Sequence, residues 1–176
     1  MRVTQIVAIG SLVAVSMLAA QNAPPPCKAP EASQFDFWVG KWELTWPQGQ
    51  GGPGPNHGTN EITKELDGCV IHEHFAGAGA GALAGRSYSL FDAARGQWLQ
   101  TWVDNQGGYI PLSGSFREGR MELRTPVRRD RQGRWQLSRM VFRDITPASF
   151  VWDWEASSDS GATWQSNWNV TYRRVR

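Results

Sequence analysis

His72, Glu73 and His74 form the densest group of reactive side chains in the sequence, and the only other histidine is His57. Two histidines spaced two apart point to the same side of a strand, as paired zinc ligands do. Cys69, Ile71 and Phe75, however, define a more apolar face on the same segment, which turns both histidines outward and Glu73 inward. His57 lies in a Gly/Pro stretch and would have to fold back to complete three protein ligands, so no metal or cofactor is expected. His72 and His74 remain the weaker alternative reading, as a metal pair.

A carboxylate turned into an apolar interior has its pKa raised by desolvation unless a cation pairs with it. Two cations on inward positions qualify: Lys64, beside Ile62 and Leu66, and Arg139, which shares a face with Leu137 and Val141. Gln100, between Trp98 and Trp102, adds a hydrogen-bonding group, and Asp104 follows near the strand end. Such a cluster either orients a ligand in an otherwise apolar pocket or forms an internal salt bridge closing one end of a barrel. If the chain is an enzyme, Glu73 is its general acid or base, in an isomerase, hydratase or cyclase type of reaction. No nucleophile elbow, phosphate loop or cofactor motif accompanies it.

Ser157, Asp159, Gly161, Thr163 and Trp164 match the Asp-box of sialidase propellers, but in a single copy where a propeller needs repeats. Their physics is that of a hairpin turn: Asp159 accepts backbone N–H bonds, Gly161 takes a positive φ, and Trp164 tucks beneath. Arg128, Arg129, Arg131 and Arg134 crowd another turn. The net charge is only +2, so these read as a solvated loop and not as a nucleic-acid surface.

The elements that must position these groups are strands. The chain has ten tryptophans, and in several segments they recur at even spacing. Phe150, Trp152 and Trp154 alternate with Val151, Asp153 and Glu155, while Trp164, Trp168, Val170 and Tyr172 alternate with polar residues. The same alternation gives a first strand through Trp42, Leu44 and Trp46, a second over 60–66, and a hairpin at Asp67-Gly68 into a third over 69–75. Further strands are expected over 86–91, 97–103, 109–116, 121–125, 135–142, 149–156 and 164–173. Gly/Pro-rich 47–58 reads as a loop, and Gly/Ala-rich 77–85 as a loop or lid. About ten strands in hairpin succession leave two open edges unless the sheet closes. The fold class is therefore all-β, an antiparallel up-and-down β-barrel, with a β-sandwich as the alternative.

At the N-terminus Arg2 precedes an apolar run over 6–20 that ends in small residues, the pattern of a signal peptide over 1–20. It is too short to span a bilayer, so no membrane span is expected and the protein reads as periplasmic or secreted. A Pro-rich tail over 21–34 leads into a single domain over 35–176. Cys27 and Cys69, an even pair in an oxidising compartment, are read as one disulfide that pins this tail.

Gly40-x-Trp42 at the start of the first strand resembles the Gly-x-Trp of lipocalins and other calycins. In that superfamily the tryptophan plugs the closed barrel end beneath a basic side chain from the last strand, a part that Arg173 or Arg174 would play. FDFWVGKW, LDGCVIHEHF, GQWLQTWVDNQGG and SSDSGATWQSNW, in this order, look like a family of secreted bacterial lipocalin-like proteins. The resemblance covers most of 35–174 and implies fold and compartment; it carries no activity and no catalytic residue. The expected function is the binding of a small apolar or amphipathic ligand. Trp98, Gln100, Trp102, Trp152, Trp154 and Trp168 would be the walls, and Glu73 with Arg139 the polar anchor. A module that stacks sugars on exposed tryptophans is the third reading.

Overall fold

The computed structural model describes residues 27–51 and 54–175. The signal peptide expected over 1–20 lies outside the described residues. Two short 3-10 turns, Pro30–Ser33 and Asp36–Trp38, precede the strands. The strands are β1 (Gly40–Thr45), β2 (His57–Glu65), β3 (Val70–Gly77), β4 (Ala84–Asp92), β5 (Gln97–Asp104) and β6 (Tyr109–Arg117). They continue with β7 (Arg120–Arg124), β8 (Arg128–Arg129), β9 (Trp135–Arg143), β10 (Ser149–Ser157) and β11 (Gln165–Arg174).

Each strand pairs antiparallel with its neighbour, β9 pairs with both β7 and β10, and β11 returns to β1, so ten strands close a barrel. The two-residue β8 is an extra flap paired only with β9. Closure leaves no bare edge, which is why a chain with this many hairpins prefers it to a sandwich. Among the described residues no helix is long and apolar enough to cross a membrane.

One barrel end is plugged. The chain enters through the turns at 30–38, placing Phe35 and Trp38 in the interior, both essentially inaccessible to solvent. Phe35 meets Trp98 and Phe142 at ring separations of 5.1 Å each, both edge-on. Trp42 Nε1 donates to the Trp38 carbonyl at 2.7 Å, and Trp98 Nε1 to Gln34 Oε1 at 3.3 Å. Arg174, not Arg173, lies over the Trp42 ring, 4.1 Å from its centroid. Its guanidinium also donates to the carbonyls of Val39, Phe37 and Pro147. Gly40, at φ +136°, makes that clamp feasible, since a Cβ there would overlap Arg174 Nη1. The Cys27–Cys69 disulfide is formed and ties the entering segment to the β2–β3 turn.

Two strand faces differ from expectation. On β9, Met140 and Phe142 face the interior while Leu137, Arg139 and Val141 face out. Both faces of this strand are apolar because the hairpin between β10 and β11 folds over the outside and covers Leu137, which a Cβ on Gly161 would touch. On β11 a bulge at Asn167 leaves Trp154 opposite Trp168 but Glu155 opposite Ser166. The extra residue switches sides. Trp168, Val170 and Tyr172 therefore point inward and Trp164 points outward, beneath the cations of Arg139 and Arg124, 4.1 and 5.4 Å from its ring.

Candidate functional site

The barrel half opposite the plug encloses a cavity of about 220 Å³. Its walls are indoles and alkyl groups: Trp102 of β5, Trp152 and Trp154 of β10, and Trp168 of β11, with Phe75, Leu112, Met140 and Val170 between them. Trp38 forms the floor, and Leu83 and Asp104 lie toward the loops. The rings stand at mixed angles. Trp152 and Trp154 are parallel at 6.3 Å, Trp152 meets Trp168 edge-on at 5.5 Å, and Phe75 bridges Trp168 at 5.8 Å and Trp102 at 6.0 Å. These four tryptophans are half-buried, whereas Trp38, Trp42 and Trp98 are buried. Gly85 makes room for the Trp102 ring, which a Cβ at that position would overlap.

Glu73 is buried and faces the cavity. One carboxylate oxygen accepts from Asn60 Nδ2 at 2.7 Å and the other from Ser87 Oγ at 2.5 Å. Asn60 Nδ2 also reaches the Tyr172 hydroxyl at 3.1 Å, and Gln100 Nε2 donates to Ser87 and Ser89 at 3.1 and 3.0 Å. All these residues alternate inward on β2, β4, β5 and β11, which is how the β-period gathers them on one interior level. Burial raises the Glu73 pKa to about 7, and the hydrogen bonds from Ser87 and Asn60 only partly oppose it. Desolvation, followed by the neighbouring Glu73 charge, likewise pushes the Tyr172 phenol upward.

Among the described residues no cation pairs with Glu73, and both candidates for the part lie elsewhere. Lys64 does share the inward face of β2, opposite Ile71, but it lies at the exposed rim of the plugged end, where it pairs with Asp36 of the entering turn at 2.6 Å. Arg139 is on the outer face, paired with Glu155 at 2.5 Å and Glu122 at 3.0 Å, because β9 presents Met140 and not Arg139 inward. As an anchor inside the barrel Arg139 is corrected. Of the expected walls, Trp102, Trp152, Trp154 and Trp168 line the cavity. Trp98 is in the plug and Gln100 bonds the serines behind the lining.

Asp104 sits at the mouth. Burial disfavours its charge, but Trp102 Nε1 at 2.9 Å and the amides of Gly108 and Gln106 outweigh that and hold its pKa below the ordinary carboxylate value. Asn60, Ser87 and Tyr172 were not singled out from sequence; the usable signal was their even spacing from Ile62, Phe91 and Trp168. Among the described residues four buried side-chain atoms lack a partner: Trp38 Nε1, Trp168 Nε1, Asn60 Oδ1 and Gln100 Oε1.

His72 and His74 point outward, His72 stacking on Tyr88 at 4.5 Å and contacting Glu65 at 2.7 Å. His57 opens β2 at the far end of the barrel. Among the described residues no three His, Cys, Asp or Glu groups converge to hold a metal. The Asp159 motif is a turn: its carboxylate accepts from the Thr163 hydroxyl and amide and from Ser157, which keeps it ionised well below the usual range. The tryptophan most open to solvent, Trp135, is covered on one face by Arg129, 3.7 Å from its ring centroid.

No family model matches the chain, and no curated protein matches it. The closed ten-strand antiparallel barrel is consistent with a lipocalin-like fold.

Proposed function

We propose that this protein is a periplasmic or secreted binding barrel that holds one small, largely apolar molecule in the half opposite the plug. Trp102, Trp152, Trp154 and Trp168 are its walls and Glu73 its polar anchor. The observation that carries the reading is the aromatic-walled cavity of about 220 Å³. An apolar cavity of ~150 Å³ admits benzene, so the space suits a molecule with one ring and a short substituent. The disulfide between Cys27 and Cys69 supports an oxidising compartment. Titration with monocyclic apolar probes, followed by tryptophan fluorescence and calorimetry, should give saturable binding of one probe per chain. Filling the cavity with Val170→Phe should abolish it while the fold persists. Absence of saturable binding by any probe, or binding indifferent to Val170→Phe, overturns the proposal.

A second reading is favoured by one specific feature, the Glu73 carboxyl with a pKa near neutrality inside the cavity, poised to give or take a proton. Native mass spectrometry of protein from its own host separates the two. An unchanged bound molecule supports the carrier; conversion of that molecule, lost in Glu73→Gln, supports a barrel enzyme.

A further inference from the structure

The cavity has an electrostatic character that its apolar walls conceal. The protein carries a formal net charge of +2, yet the only ionisable carboxylates lining the cavity are Glu73 and Asp104, and no lysine, arginine or histidine lines it among the described residues. The hydrogen-bond donors to Glu73, Asn60 and Ser87, are both neutral. Each takes one lone pair of a different carboxylate oxygen, and a carboxylate offers about four acceptor sites, so both oxygens retain capacity for a further donor. The basic residues that act on Glu73 through the wall, His72 and Arg86, alternate to the outside; Arg86 spends its guanidinium on the carbonyls of Gly85 and Phe75.

A buried carboxylate without a counter-charge is costly, and two ways exist to remove the cost: protonation, or a ligand that brings the positive charge with it. The walls favour the second. Trp102, Trp152 and Trp168 with Phe75 present ring faces and edges at steep angles to one another around the cavity that Glu73 also lines. Indole faces are the best aromatic partners for a cation, and such cages recognise organic ammonium ions. Asp104 places a second negative charge at the mouth, where it draws cations inward and repels anions.

We propose that the ligand is a protonated amine with a ring-sized apolar body, its N–H group donating to Glu73 and its body held between the indoles. This rests on the binding reading above and names the ligand class for that same cavity. No bond forms or breaks; the ammonium supplies the positive charge and the N–H donor that the cavity lacks.

The test uses three probes of similar size and different charge: 2-phenylethylammonium, neutral propylbenzene and anionic 3-phenylpropionate, titrated calorimetrically at about pH 8, where the carboxylate is the main form. The amine should bind about tenfold tighter than propylbenzene or better, and the anion should not bind detectably. Glu73→Gln should erase the amine's advantage over propylbenzene, whereas Glu73→Asp, which keeps the charge, should retain part of it. Thermal melts confirm that each variant is folded. Equal affinity for amine and hydrocarbon, tightest binding by the anion, or an amine preference that survives Glu73→Gln each overturns the proposal while leaving a binding cavity in place. Failure of all three probes overturns the binding reading with it.

Discussion

The two halves of the barrel interior are built from the same residue type and reach opposite outcomes. At the plugged end Trp42 has an acceptor for its N–H in the Trp38 carbonyl, a guanidinium over its face from Arg174, and Phe150 against its edge at 4.8 Å. At the open end Trp152 and Trp154 line empty space and remain half-buried. Aromatic content therefore does not separate a core from a site. What separates them is whether each ring's faces and edge are met by the protein itself.

The contrast can be broken by experiment, and the largest effect is expected at the plug. Trp42→Ala should cost about 3–5 kcal/mol in denaturant unfolding, because it empties a packed site and strands the Arg174 guanidinium. Trp154→Ala should cost roughly 1–2 kcal/mol, since part of that ring already lacks neighbours. Equal costs would erase the distinction between the halves.

Glu73 gives the next largest effect, with a sign opposite to that of an ordinary paired carboxylate. The folded protein holds the proton up to about pH 7 and the unfolded chain releases it near 4.5. Between those values the unfolded state binds fewer protons, so stability falls as pH rises through this window and levels off above it. The interval corresponds to roughly 3 kcal/mol. The groups that face Glu73 from inside are Asn60, Ser87 and Tyr172, and His72 and Arg86 act through the wall. Glu73→Gln should flatten the profile, matching the wild type near pH 4 and exceeding it by up to about 3 kcal/mol near pH 8, as read by denaturation across pH. A wild-type profile that rises from pH 5 to 8 would show that a counter-charge is present after all.

The smallest effect should come from the outer wall. Arg139→Met removes ion pairs to Glu155 and Glu122 and the cation above Trp164, at a cost of about 1 kcal/mol or less. Probe binding in the cavity should not change. Loss of binding would place Arg139 in the site, contrary to its position.

The pattern of what the sequence made legible follows the same physics. Alternation located all ten barrel strands, because in most of them one face is apolar and the other polar. It also placed Glu73 inward, on the strength of Ile71 and Phe75. Arg139 was misplaced because β9 is apolar on both sides, one toward the core and one beneath a hairpin that no local pattern announces. Trp164 was assigned to the wrong face because a one-residue bulge at Asn167 inverts the count, and nothing in the strand composition marks it. Lys64 fell just where β2 stops alternating. The short turns at 30–38 carry no periodicity, and their role as a plug emerges only from their position inside the ring.

The seam of the barrel lies between β1 and β11, where Trp42 stands opposite Arg174. These residues are far apart in the chain, so the pairing that closes the ring has the greatest sequence separation of any strand pairing here, and its loop-closure entropy must be met before it stabilises anything. Every hairpin can form as soon as it leaves the ribosome; the ring cannot. β11 thus acts as a latch on the folding reaction, and until it arrives the molecule is a curling sheet with two sticky margins.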